Sequence, residues 1–331
     1  MPQIVKNNDE PLRKDGGMLI NAMEIPSFRI NLAKESKVEK NILFKAAGGI
    51  GDLICAEPSI RYALENFPGC NFKIQTAFPE IYSHLNCEIV KDEPNLDGYL
   101  VIETLQYQES LSQEFISHPF THCVDYHSLN MFRMQLPVSY KTPIVKGVAH
   151  GTEITTADIL VHPGRSWQSK TFPRWWWNAV IQEIKARGGR PVLIGATPYK
   201  DRGTVDVDAS GCVDLRDKLS IHQTIGLLHD SNVLITNDSA PLHMGATGNI
   251  HIGFISTVRH PDYLKHWRNG IFGWRMENLS LDGLWSIINM CPTNPIPISL
   301  DKVDENLMQT WLPEPSSVAD WGMQCLTRSQ A

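Results

Sequence analysis

Three short stretches of this chain carry residue types whose spacing suits chemistry. The first, Gly48-Gly49-Ile50-Gly51-Asp52, sets glycines where an apolar run gives way to a helical pattern, so the backbone can turn sharply and approach a ligand. It ends on Asp52, a carboxylate able to take a proton from an acceptor hydroxyl. The second runs from His162 to Pro173; Arg165 and Lys170 supply cations, and Gly164 and Ser166 supply further donors, a set suited to a diphosphate leaving group. The third is Asp238-Ser239-Ala240-Pro241-Leu242-His243. Here a strand pattern turns into a short helix whose first N–H groups suit phosphate, with Asp238 capping the turn and Pro241 in the first helical turn. Each stretch also has a plain structural reading: an N-cap aspartate, a solvated loop and an ordinary capped helix.

The elements that must position these residues alternate between strand and helix. The pattern predicts a strand over Ile42–Ala46, a helix over Asp52–Asn66, and short strands at Phe72–Thr76, Glu88–Val90, Tyr99–Ile102 and Cys123–Tyr126. An irregular segment, Val138–Thr156, marks a domain boundary. A second series follows, with strands at Ile159–His162, Pro191–Ile194, Asn232–Thr236 and His251–Ile255 and helices at Pro173–Arg187 and Ser220–Asp230. Such alternation implies an α/β fold with parallel sheets covered on both faces. The expected organisation is a polar tail or hairpin over 1–37, an acceptor-binding domain over 38–150 and a donor-binding domain over 151–260. The Trp- and Pro-rich stretch 261–331 is expected to pack back on the N-terminal domain.

The 331 residues suffice for two domains, and 42% hydrophobic with 20% charged content is that of a globular protein. A net charge of −6 leaves no global basic field for non-specific nucleic-acid binding. Seven scattered cysteines without a Cys-x-x-Cys pair point to reduced thiols. With no transmembrane run and no signal-peptide core, the expected location is the cytoplasm of a bacterial or phage-infected cell.

Taken in order, G-G-x-G-D, H-P-G-x-S-x-x-x-K-x-x-P and N-D-S-A-P-x-H resemble the motifs of the heptosyltransferase family of sugar transferases, glycosyltransferase family nine. The resemblance covers roughly residues 40–257 and includes Trp175–Gly195 and Val124-Asp125-Tyr126-His127. It implies a GT-B fold, two Rossmann-like domains facing across a cleft, and an inverting transfer from a nucleotide-diphosphate sugar that needs no metal. On that resemblance Asp52 is the general base, with Gly49 and Gly51 on the acceptor side. Lys170, with Arg165 and Ser166, binds the donor phosphates together with Asp238, Ser239, Ala240 and His243, and Leu219 lines the base pocket. Ala240 stands where glycine is common, and His266–Arg275 has no family counterpart.

Several further features invite rival readings. His118, His122, Cys123, Asp125 and His127 suggest a metal, but Asp125 and His127 at period two on one strand fit a strand mouth better. No metal ligand is therefore expected, and His127, Asn130 and Arg133 become candidate acceptor contacts. Asp206-Val207-Asp208 reads as a solvated turn rather than a metal-binding D-x-D. Trp175-Trp176-Trp177 cannot all face one way on a helix, so packing, with one ring exposed or covered by the tail, is the expected role. The resemblance favours a glycan or glycolipid acceptor. The alternatives are a phage-type enzyme glycosylating a hydroxymethylated base in DNA and a non-catalytic sugar-nucleotide binding protein. A NAD-linked oxidoreductase is disfavoured, because Ile54 breaks the G-x-G-x-x-G fingerprint.

Overall fold

The computed structural model describes residues 40–92, 95, 97–104, 122–132, 134–164, 170, 172–197, 205–256, 261–275 and 312–328. Arg133, Arg165, Ser166 and His118 lie outside the described residues. The chain divides into two compact units, Met1–Ile144 and Val145–Ala331.

The first unit is built on four parallel strands in the order β3-β2-β1-β4: β1 (Lys40–Ala46), β2 (Cys70–Thr76), β3 (Glu88–Val90) and β4 (Tyr99–Thr104). Ile42, Leu43 and Phe44 of β1 are fully buried, the continuous apolar run expected of a central strand covered on both faces. Helix α1 (Ile50–Asn66) follows β1 through the glycine turn. It carries a buried carboxylate, Glu57, which accepts from Arg61 Nε at 2.8 Å and from the Ile144 N–H at 3.0 Å and lies 3.0 Å from His84 Nε2. A fully buried charge persists only with such partners.

One expectation fails here. Cys123–Tyr126 opens a helix, α2 (Cys123–Phe132), rather than a strand. Four residues cannot distinguish the two periods; the longer spacing Val124, His127–Ser128, Met131, all buried, is that of a helix face. Asp125 and His127 therefore point about 200° apart around the helix, not into one strand mouth. Asp125 forms a buried ion pair with Lys141 at 2.7 Å.

The second unit holds six parallel strands in the order β10-β9-β8-β5-β6-β7. These are β5 (Asp158–His162), β6 (Arg190–Leu193), β7 (Val213–Asp214), β8 (Val233–Asn237), β9 (His251–Ser256) and β10 (Ile271–Arg275). Helices α3 (Arg174–Ala186), α4 (Ile221–Asp230) and α5 (Ala240–Ala246) connect them, and α6 (Pro315–Arg328) closes the unit. Trp176 and Trp177 of α3 are buried with Phe172 in the core, and Trp176 Nε1 donates to the Pro313 carbonyl at 2.8 Å. The described part of the C-terminal stretch thus differs from the expectation that it packs on the N-terminal domain. β10 extends the second sheet beside β9, and α6 lies on α3, with Val318, Ala319, Cys325 and Leu326 in the same core. The deciding feature is the apolar face of α6, which the second sheet's core buries.

Six cysteines among the described residues are free thiols. Also among the described residues, no helix is long and apolar enough to cross a membrane.

Two local features carry predictions. A Cβ on Gly226 of α4 would lie 2.0 Å from the Val148 carbonyl oxygen, and the Val148 N–H donates to the His222 carbonyl at 3.1 Å. The segment around Val148 therefore runs directly on the α4 backbone. Gly226→Ala must push them apart, and the expected loss is about 1–3 kcal/mol, read as a lower midpoint in denaturant unfolding. At the start of β5, burial alone would raise the Asp158 carboxyl. The Arg190 guanidinium (Nη2–Oδ2 2.7 Å) and the Thr155 N–H (2.7 Å) reverse this and hold it below its ordinary value. A depressed carboxylate stabilises the fold above its unfolded pKa, about 3.9, and that contribution disappears as pH falls through the folded value. Melting temperature is expected to drop as the pH is taken below about 4. Asp158→Asn should be less stable at neutral pH and show a flatter acid limb.

Candidate functional site

In an open parallel sheet, ligands bind beyond the carboxyl ends of the strands where the chain reverses its direction across the sheet. In the second unit that point lies between β5 and β8, because the chain runs outward through β6 and β7 and then returns to β8, β9 and β10. The second and third motifs both begin there: His162 ends β5, and Asn237 ends β8 with Asp238-Ser239 following it.

The geometry at this edge is specific. Lys170 Nζ lies 2.7 Å from Asp238 Oδ2, and their side chains are only 14% and 5% exposed. Asn237 Nδ2 donates to the Lys170 carbonyl at 2.5 Å. Asn237 Oδ1 is buried and has no hydrogen-bond partner among the described residues. His162 Nδ1 lies 3.2 Å from both Thr236 Oγ1 and Ser239 Oγ. The ring needs the space left by Gly195, where φ is +100° and a Cβ would come within 2.6 Å of His162 Cδ2. Ser239 is the N-cap residue of α5 with extended backbone, yet its hydroxyl makes no cap bond; it is turned to His162 and Thr236 instead. The ordinary capped-helix reading therefore does not describe this turn.

The structure brings Lys170, Asp238 and Ser239 together, with Ala240 at the first position of α5. Leu219 is half-buried just ahead of α4, whose N-cap Ser220 forms a capping box with Gln223. His243 is buried, and its Nδ1 lies 2.9 Å from Nε2 of His266. The sequence placed 261–331 against the N-terminal domain and gave it no part in the site, and it singled out motifs containing His162 and Asn237 without assigning either residue a role. His162 had one visible signal, a polar residue ending an otherwise apolar strand. His266 had none, since its partner lies 23 residues away. Arg268 of the same segment donates to the carbonyls of Gly245, Ala246 and Ile250 at 2.6–3.1 Å and so ties it to the end of α5. Burial pushes this guanidinium down to about 10, so it stays charged at neutral pH.

The first unit has its own reversal point, between β1 and β4. The Ala47 N–H donates to Thr104 Oγ1 at 3.1 Å, and the Gly48–Asp52 turn leaves from there. Asp52 sits at the third position of α1, and its Oδ2 accepts the Gly49 N–H at 3.0 Å. Asp52 is thus a capping residue beyond the carboxyl end of β1, and Gly51 lies in the first turn of the same helix. On α2, His127 is buried and Asn130 half-buried, its Nδ2 without a hydrogen-bond partner among the described residues.

Residues 142–251 match the model of glycosyltransferase family 9 (heptosyltransferase), a span lying almost entirely in the second unit. That stretch of the second unit is similar to a heptosyltransferase-type glycosyltransferase domain. Three solved structures share its fold. A family 9 glycosyl transferase from Veillonella parvula DSM 2008 is 13% identical over 88% of this chain and 98% of its own, with a TM-score of 0.59. TibC, a dodecameric iron-containing glycosyltransferase from enterotoxigenic E. coli H10407, is 14% identical over 88% of this chain and 77% of its own, at 0.65. E. coli ADP-heptose lps heptosyltransferase II is 12% identical over 88% of this chain and all of its own, at 0.50. The α/β fold with two Rossmann-like units is that of the GT-B heptosyltransferases. No curated protein matches by sequence.

Proposed function

We propose that this protein moves a sugar from a nucleotide-diphosphate donor to an acceptor hydroxyl in one inverting displacement. The observation that carries the reading is the Lys170–Asp238 pair at the reversal point of the sheet that matches the family. Diphosphate released at the anomeric carbon gains charge as the bond breaks. Lys170, with the backbone N–H groups of Ser239 and Ala240, is placed to meet that charge, while Asp238 holds the ammonium in position. Asp52 takes the acceptor proton, and His127 and Asn130 contribute to the acceptor side.

Leu219 borders the base pocket, and Arg165 and Ser166 extend the phosphate contacts. The donor class is supported by TibC, one of whose structures is a complex with ADP-D-beta-D-heptose. Because Lys170 and backbone donors meet the charge, no divalent ion takes part in the transfer step, and added Mg2+ or Mn2+ should leave the rate unchanged. The acceptor is a glycan or glycolipid hydroxyl, reached in the cytoplasm.

The test is a panel of nucleotide sugars scored first by the rise in melting temperature and then by transfer to glycan acceptors and to hydroxymethylated DNA. One donor should both stabilise the protein and be consumed with a glycan acceptor, giving product of opposite anomeric configuration. Stabilisation without turnover on any acceptor would leave a binding protein, and no stabilisation by any donor would remove the donor site.

A further inference from the structure

We propose that His243 and His266 chelate a divalent first-row transition-metal ion. The inference stands on this pair alone and does not rest on the donor assignment. His243 Nδ1 and His266 Nε2 lie 2.9 Å apart, and the two ring planes meet at 87°. Metal–imidazole bonds are about 2.0–2.1 Å long, so a separation of 2.9 Å corresponds to an N–metal–N angle of about 90°. That is a cis pair in an octahedral or square-based site. Opening the pair to about 3.3–3.4 Å would admit a tetrahedral ion as well.

The frame around the pair is already set. The two side chains are 6% and 1% exposed, so water competes little for the ion. His243 belongs to α5, and His266 belongs to the segment that Arg268 clamps onto the end of α5. The Arg268 N–H also closes a tight turn on the His266 carbonyl at 2.7 Å. Both imidazoles are therefore placed by the fold before any ion arrives, and little ordering remains to be done on binding. The guanidinium of Arg268 is occupied by four carbonyl oxygens, those of Gly245, Ala246, Ile250 and Asn269.

Imidazole nitrogen selects Zn2+, Fe2+, Ni2+ or Cu2+ over Mg2+ and Ca2+, which prefer oxygen. The pair supplies two cis positions of the coordination shell. A proton shared between the same two nitrogens is the competing occupant. The two exclude each other, because the ion takes both lone pairs.

The full-length protein is stripped with chelator, incubated with Zn2+, Fe2+, Ni2+ or Mg2+, passed through gel filtration and analysed for bound metal. The expected result is one transition ion per chain, retained by His150→Gln, absent from His243→Gln/His266→Gln, and no retained Mg2+. The ion should also raise the melting temperature of the wild-type protein and not that of the double variant. Wild-type protein that retains none of the three transition ions overturns the proposal without reference to any variant, and so does a folded double variant that keeps its ion.

Discussion

Lys170→Ala is expected to lose donor binding and stability together. Asp238 is 5% exposed and its partner is the Lys170 ammonium, so deleting the lysine leaves a buried carboxylate uncompensated. Breaking a buried pair costs about 3–5 kcal/mol, and the 14% exposure of Lys170 places this one toward the lower figure. Loss of a charge-assisted contact to phosphate, worth about 1.5–3 kcal/mol, should weaken the donor roughly 10- to 150-fold.

The two effects separate in a double variant. Lys170→Met/Asp238→Asn carries no stranded charge, so it should regain most of the stability while donor affinity stays low. Asp238→Asn alone keeps the ammonium but releases it from its position, and a smaller loss of affinity is expected. Calorimetric titration with the donor and urea unfolding on the same proteins measure both quantities. Donor affinity unchanged in Lys170→Ala would leave the pair as a structural salt bridge and remove the lysine from the mechanism.

Asp52→Asn is expected to lower turnover by about 10²–10⁴ with donor affinity and folding unchanged. The asparagine oxygen can still accept the Gly49 N–H, so the cap at the start of α1 survives while the basic group is gone. Asp52→Ala removes the cap as well and should cost about 1 kcal/mol of stability in addition. Full turnover in Asp52→Asn would mean that Asp52 only caps the helix. The comparison is informative because the capping role is visible in the structure and the catalytic role is inferred from its position.

Much of this was legible before any coordinates. Apolar runs such as Ile42–Phe44 and Ile159–Val161 are buried on both faces, and that pattern marks a central parallel strand without tertiary knowledge. The turn residues that follow them, Gly48–Asp52 and His162–Lys170, could be placed at strand ends for the same reason. The short run Cys123–Tyr126 could not be assigned, since helix and strand periods diverge only over a longer window.

Residue types and local order therefore set the alternation of elements and the motifs at their ends, because hydrophobic period and turn chemistry are properties of neighbouring residues. Tertiary structure decided what those residues touch. It paired Lys170 with Asp238 across 68 positions, turned Ser239 away from its helix toward His162, and set His266 against His243. It also used β10 and α6 to finish the second sheet and its core. Such pairings depend on which strands lie side by side and on which surfaces are left to be covered, and neither is encoded in the spacing of residues along a single segment.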